Sequence, residues 1–98
     1  MAYKVIYLKR FNNKLAQLQA YLQNEWGDKV VKNFIETLYN KINNIKIQPN
    51  IGLASTNFKD TRSILISKHN RLVYRISKKQ IIVIDLIDTR QKIASKKY

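Results

Sequence analysis

The spacing of the apolar residues changes period twice along the chain, and this feature limits the possible folds more than any other. Residues 2–8 alternate and are rich in β-branched and aromatic side chains, which predicts a first strand. Within 13–46, apolar residues recur every three or four positions, the spacing of amphipathic helices. Gly27 interrupts this pattern, so we expect an antiparallel hairpin of two helices, 13–26 and 28–46.

Each predicted helix has a candidate N-cap. Asn12 or Asn13 precedes the first apolar stripe, and Asp28 precedes the second. The segment "IGLASTNFKD" that follows the helices has too little periodicity for more than a loop.

Strand patterns return after residue 60. We expect strands at 61–67, 71–77 and 81–88, joined by tight links. The last is nearly continuous in apolar residues, which predicts a central strand covered on both faces. The element order is therefore β-α-α-β-β-β, an α+β fold with a helical hairpin on a mainly antiparallel sheet.

The strand "RLVYRIS" has two faces of different chemistry. Leu72, Tyr74 and Ile76 alternate as one buried face. Arg71 and Arg75 share the opposite face. Two permanently charged guanidinium groups on one face of a strand suit the binding of an anion.

Composition indicates a small intracellular domain without metal chemistry. The 98 residues suit a single domain, 1–98, and contain no cysteine and one histidine, so we expect no disulfide, metal centre or cofactor. The N-terminus reaches Lys9 and Arg10 before any apolar core of a secretory signal, and no apolar run could span a bilayer. We expect a cytoplasmic protein without a membrane partner.

The charge indicates a polyanionic or acidic partner. Nineteen basic residues against six acidic ones give a net charge of +13, and the excess occurs in both halves of the chain. A folded domain this basic repels itself unless a nucleic acid or an acidic protein neutralises it.

The element order, together with "HNRLVYRI" and "IDLIDTRQ", resembles the RelE/ParE superfamily of type II toxin–antitoxin toxins, which includes plasmid stabilisation proteins. The resemblance covers nearly the whole chain. It implies a bacterial growth inhibitor that a cognate antitoxin holds inactive through an acidic or amphipathic segment.

The resemblance implies two competing activities. RelE-like members are metal-independent endoribonucleases (mRNA interferases) that cut mRNA in the ribosomal A site, so their partners are the ribosome and mRNA. ParE-like members bind DNA gyrase and stabilise its cleaved-DNA complex without hydrolysis. A non-toxic basic module that docks proteins is a third alternative, because a fold alone does not fix function.

Candidate catalytic residues follow from the ribonuclease resemblance. It assigns phosphate-binding and transition-state roles to Arg62, Arg71 and Arg90, from which we expect a groove also lined by Arg75. The lysine that such enzymes carry on the first of the three strands is matched by Ile64, and their tail tyrosine has no secure counterpart, which favours the gyrase alternative. The basic excess and the arginines favour the ribonuclease, so from the sequence we expect ribosome-associated mRNA cleavage, with gyrase inhibition as the alternative.

The remaining candidates are polar residues near these arginines. His69 has the intrinsic pKa of a general acid or base, although it lies in a predicted turn. Candidate RNA-binding residues are Arg75, Lys68, Lys59 and Lys92. We expect Asp85 and Asp88 to pair with arginines, since one acidic strand supplies too few ligands for a metal.

Overall fold

The computed structural model describes residues 2–89. Strand β1 and two helices come first, and four strands follow. The elements are β1 (Lys4–Tyr7), α1 (Lys9–Trp26), α2 (Asp28–Ile47), a 3₁₀ turn (Pro49–Ile51), β2 (Leu53–Ala54), β3 (Thr61–Ser67), β4 (Asn70–Ser77) and β5 (Gln80–Asp88).

The strands form one mixed sheet in the order β1-β5-β4-β3-β2. β1 pairs parallel to β5, and the other neighbours are antiparallel. The predicted α+β fold is confirmed, and β5 is a central strand between β1 and β4 as expected. The expectation of a plain loop after the helices was wrong, because Leu53 and Ala54 pair with β3 at the sheet edge.

The helical hairpin covers one face of the sheet, which we call the helix face. The main core lies there and includes these fully or nearly fully buried residues: Phe11, Leu15, Phe34, Leu38, Ile42, Ile45, Ile66, Leu72, Tyr74, Ile81, Val83 and Leu86. The opposite side, which we call the open face, has a small apolar cluster of Val73, Ile84 and Ile87. Side chains on both faces therefore bury β5.

The helix α1 begins four residues before the predicted start. Its N-cap is Leu8, whose backbone N–H donates to the Val83 carbonyl, and no side chain caps the helix. Phe11 is completely buried in the first turn. Packing of Phe11, rather than capping by an asparagine, thus fixes where α1 starts.

Gly27 separates the helices. Its φ of 88° lies in the left-handed region that favours glycine. Its N–H donates to the carbonyls of Leu22 and Gln23 at the end of α1, and its carbonyl accepts from Val31 in α2. Asp28 is thus the first residue of α2 and not its N-cap.

Two register shifts interrupt the antiparallel ladders. Between β3 and β4, Ser67 pairs with Asn70, but Leu65 pairs with Arg71, so Ile66 is an extra residue. A second shift inserts an extra residue in β5 between the partners of Val73 and Tyr74. Within the described part of the chain, no helix is long and apolar enough to cross a membrane.

Candidate binding face of the sheet

The open face carries the predicted pair of arginines on β4. Residues that pair across antiparallel strands share a face. Arg71 pairs with Leu65 and Ile87, and Arg75 with Thr61 and Ile82. Arg71 and Arg75 therefore lie on the same side of the sheet, opposite the helices, as expected from their spacing.

Ser63 holds the side chain of Arg71. Nε of Arg71 donates to Oγ of Ser63 at 3.1 Å, and Nη2 donates to the Ser63 carbonyl at 3.3 Å. A guanidinium has five N–H donors, so these two bonds fix its plane and leave further donors for an anion. Both groups are half-buried, which reduces screening by water.

Asp85 lies on the open face between the two arginines. It pairs with Val73, which separates Arg71 from Arg75 along β4. Its side chain is buried, and its Oδ1 accepts the Leu86 N–H at 2.8 Å. Arg71 is held by Ser63 rather than by this carboxylate, because its hydrogen bonds go to the Ser63 hydroxyl and carbonyl.

Arg62 does not belong to the open face, and the expectation that it completes the arginine groove was wrong. It pairs with Tyr74 of the main core and alternates with Ile64 and Ile66, which pack towards the helices. Its Nη1 donates to the carbonyls of Asn50 and Gly52, at 3.2 and 2.8 Å. Arg62 therefore fixes the turn after α2.

The shift at Ile66 explains this placement. A regular two-residue hairpin closed by Ser67 and Asn70 would set Arg62 opposite Arg75, on the open face. The extra residue moves the pairing by one position, and a one-residue slip changes the face of every following side chain. The residues of β3 that lie on the open face are instead Thr61, Ser63 and Leu65.

Tyr74 also holds the turn that follows α2. Its hydroxyl donates to the Pro49 carbonyl at 2.6 Å and accepts the Gly52 N–H at 3.0 Å. Burial raises the pKa of this phenol, while the hydrogen bond from Gly52 and the positive charge of Arg62 act in the opposite direction. Tyr74 is a core residue, as its alternation predicts.

The β3–β4 turn contains Lys68 and His69, both exposed. The His69 carbonyl accepts the Thr89 N–H at 2.8 Å. Both residues border a surface groove of about 640 Å³ on the helix side, whose other wall is α1. The structure thus does not bring His69 onto the open face with Arg71 and Arg75.

The other candidate residues are dispersed. Lys59 is exposed in the loop before β3, and its carbonyl accepts the Thr61 hydroxyl at 3.0 Å. Arg90 and Lys92 lie outside the described residues.

Two features of the surface were missed by reasoning from the sequence. Ser63 is a site residue because of its cross-strand position, which only the shifted register reveals. Tyr21 and Trp26 line the groove beside α1 and are 57% and 66% exposed. The sequence did contain a signal for the groove, because both aromatic rings extend the apolar stripe of α1 beyond what the core can cover.

The fold is that of small bacterial toxins. The chain is similar to the chromosomal ParDE toxin–antitoxin system from P. aeruginosa, with a TM-score of 0.74 and 9% identity over 89% of this chain and 96% of that one. It is also similar to the isolated E. coli RelE toxin, with a TM-score of 0.64 and 21% identity over 96% and 92% of the chains. A YoeB/ParE toxin from Agrobacterium tumefaciens gives 0.62 and 20% over 87% and 96%.

The sequence itself identifies the family. Residues 5–93 match the model of the ParE toxin of the type II toxin–antitoxin system parDE. The chain therefore belongs to the ParE toxin family, within the RelE/ParE superfamily expected from its sequence. No curated protein gives a significant match to the sequence.

Proposed function

We propose that this toxin arrests growth by binding DNA gyrase and stabilising its cleaved-DNA complex, without hydrolysis by the toxin itself. The observation that carries the proposal is the composition of the open face. Arg71 presents a fixed guanidinium there, beside the uncharged residues Thr61, Ser63 and Leu65 of β3. A fixed positive charge among uncharged neighbours suits the binding of an anionic surface.

Cleavage of RNA needs more than bound phosphate. A group must also take or give a proton, and a guanidinium stays charged at every working pH. Among residues 2–89, the titratable carboxyl on the open face is that of Asp85, which is 2% exposed. His69 borders the groove on the other side of the sheet. These placements support binding over acid–base catalysis.

Family membership also supports the proposal. The match to the ParE family covers most of the chain, and the resemblance to ParE-like toxins implies gyrase as the target. The E. coli RelE toxin and the E. coli DinJ–YafQ complex share the fold as well, so the shape of the fold does not distinguish the two activities.

Purified gyrase tests the proposal directly. Supercoiled plasmid, gyrase and ATP are incubated with the toxin, and cleaved complexes are trapped with detergent and protease. We expect linear plasmid to accumulate with the wild-type toxin and much less with Arg71→Ala. Lys32→Ala is the matched control, because it removes one exposed positive charge from α2. Arrest of translation in cells with no linear plasmid in this assay would contradict the proposal.

The ribonuclease is the second candidate function. The donors of Arg71 that Ser63 does not use could hold a phosphate of mRNA. Programmed ribosomes would then show mRNA cut in the A site soon after toxin addition. Binding to a naked single strand would weaken with salt, with a log–log slope of about −0.7 for each phosphate neutralised.

We also propose an antitoxin as partner, seated in the groove between α1 and the β3–β4 turn. Solved relatives include the E. coli DinJ–YafQ toxin–antitoxin complex. The exposed rings of Tyr21 and Trp26 offer apolar contact, and Lys14 and Lys68 offer positive charge beside them. An acidic amphipathic segment matches both features.

A further inference from the structure

Arg71 has two possible partners on the open face. The observed one is Ser63 on β3, which accepts from both Nε and Nη2. The other is Asp85 on β5, because Arg71 pairs with Ile87 and Asp85 lies two residues earlier in the strand. Diagonal cross-strand neighbours lie roughly 7–8 Å apart, within reach of an arginine side chain.

The choice of partner determines what Arg71 can do. A guanidinium paired with the Asp85 carboxylate would be neutralised and drawn towards the centre of the sheet. Bound to Ser63, it keeps its net charge and points towards the β3 side of the face. Ser63 contributes a hydroxyl and a carbonyl, both uncharged, so it orients the guanidinium without cancelling the charge.

We propose that Ser63 is a positioning residue that directs the Arg71 guanidinium away from Asp85 and presents it to the target. This inference rests on the proposed function of the open face. Ser63 itself need not touch the target, since it acts through Arg71. Its hydroxyl bond to Nε is the part that a substitution can remove, because the carbonyl bond belongs to the backbone.

The Nε–H signal of Arg71 in a nitrogen–proton NMR spectrum reports this contact. The chain has five arginines, so the signals are few, and Arg71→Lys identifies the one to follow. Ser63→Ala should raise the solvent-exchange rate of the Arg71 Nε–H about tenfold, the effect expected for one hydrogen bond to a charged group. Ser77→Ala, which alters the serine at the end of β4, should leave it unchanged.

Rescue variants separate positioning from a general effect on folding. Ser63→Thr should keep the slow exchange, because threonine retains the hydroxyl and the adjacent cleft of about 300 Å³ has room for its methyl group. Ser63→Ala should weaken gyrase binding about tenfold with an unchanged melting temperature. Adding Asp85→Asn should restore most of that loss, because the competing carboxylate is gone.

An unchanged Arg71 exchange rate in Ser63→Ala, or failure of Ser63→Thr to preserve it, would overturn the proposal. So would a gyrase affinity that Ser63→Ala lowers and Asp85→Asn does not restore. If Ser63→Ala changes the exchange rate but the toxin never binds gyrase, positioning by Ser63 stands and the proposed target fails.

Discussion

The hydroxyl of Tyr74 donates a 2.6 Å hydrogen bond to the carbonyl of Pro49, although the two residues are 25 positions apart. The same hydroxyl accepts the Gly52 N–H, and Arg62 donates to the Gly52 carbonyl. Two side chains of the sheet thus fix the turn between α2 and β2. This turn sets the position of the edge strand beside the open face.

Removing the Tyr74 hydroxyl should therefore destabilise the fold. Tyr74→Phe leaves the Pro49 carbonyl and the Gly52 N–H without this partner in a buried setting, which should cost about 1–3 kcal/mol of unfolding free energy. Urea titration measures the change. Tyr39→Phe is the control, because the Tyr39 ring is 42% exposed and should change stability by less than about 0.5 kcal/mol. Equal stabilities of the two variants would contradict the anchoring role.

Gly52 is required for space rather than for backbone freedom. Its φ of −74° is ordinary, but a Cβ there would lie 2.5 Å from the Tyr74 hydroxyl oxygen and 3.0 Å from the Ser63 carbonyl oxygen. Gly52→Ala should cost about 1–3 kcal/mol by overpacking. The double variant with Tyr74→Phe should lose less than the sum, because its nearest clash is removed. Wild-type stability of Gly52→Ala would show that the turn is not held against Tyr74.

Alkaline pH should weaken the fold through Tyr74. Burial raises the pKa of this phenol above its ordinary 10.0, so the unfolded chain ionises first as the pH rises. The stabilisation is fully present below the unfolded pKa and is lost as the pH rises through the folded pKa. As the pH rises above about 10, wild type should lose more unfolding free energy than Tyr74→Phe. Parallel curves of unfolding free energy against pH for the two proteins would contradict the raised pKa of Tyr74. Burial also raises the pKa of Tyr7, but Tyr7 is present in both proteins and its effect cancels in the comparison.

The fold was readable from the sequence because apolar spacing reports which face of each element is buried. Leu72 and Tyr74 on β4 show this directly, since both are fully buried where alternation places them. The site was only partly readable. A single extra residue, Ile66, decides which side chains of β3 meet Arg71, and local propensity does not encode such a shift. Arg62 was therefore assigned to the wrong face, and Ser63 was overlooked.

Trp26 offers a direct test of the proposed antitoxin groove. It is the single tryptophan of the chain and is 66% exposed, so its fluorescence should shift to shorter wavelength when an antitoxin segment covers it. Trp26→Ala should weaken antitoxin binding by at least about tenfold, typical of an aromatic anchor, while stability changes by less than about 0.5 kcal/mol. An unshifted spectrum on formation of a tight complex would place the antitoxin elsewhere.

The comparison of Arg62 with Arg71 tests the division between fold and function. Arg62→Ala removes hydrogen bonds to the Asn50 and Gly52 carbonyls and should cost about 1–3 kcal/mol, with growth arrest reduced only as far as the folded fraction falls. Tightening the fold by lower temperature should restore its toxicity. Full stability of Arg62→Ala would argue against its structural role.

Growth arrest by Arg71→Ala, measured together with its melting temperature, tests the central claim most directly. Arg71 lies on the open side of the sheet and carries the same charge as Arg75, four positions along β4, so its removal should leave the melting temperature unchanged or raised. Arrest on induction should be abolished, while Lys32→Ala arrests growth like wild type. A folded Arg71→Ala protein that still stops growth at the wild-type rate would contradict the assignment of the open face as the binding site.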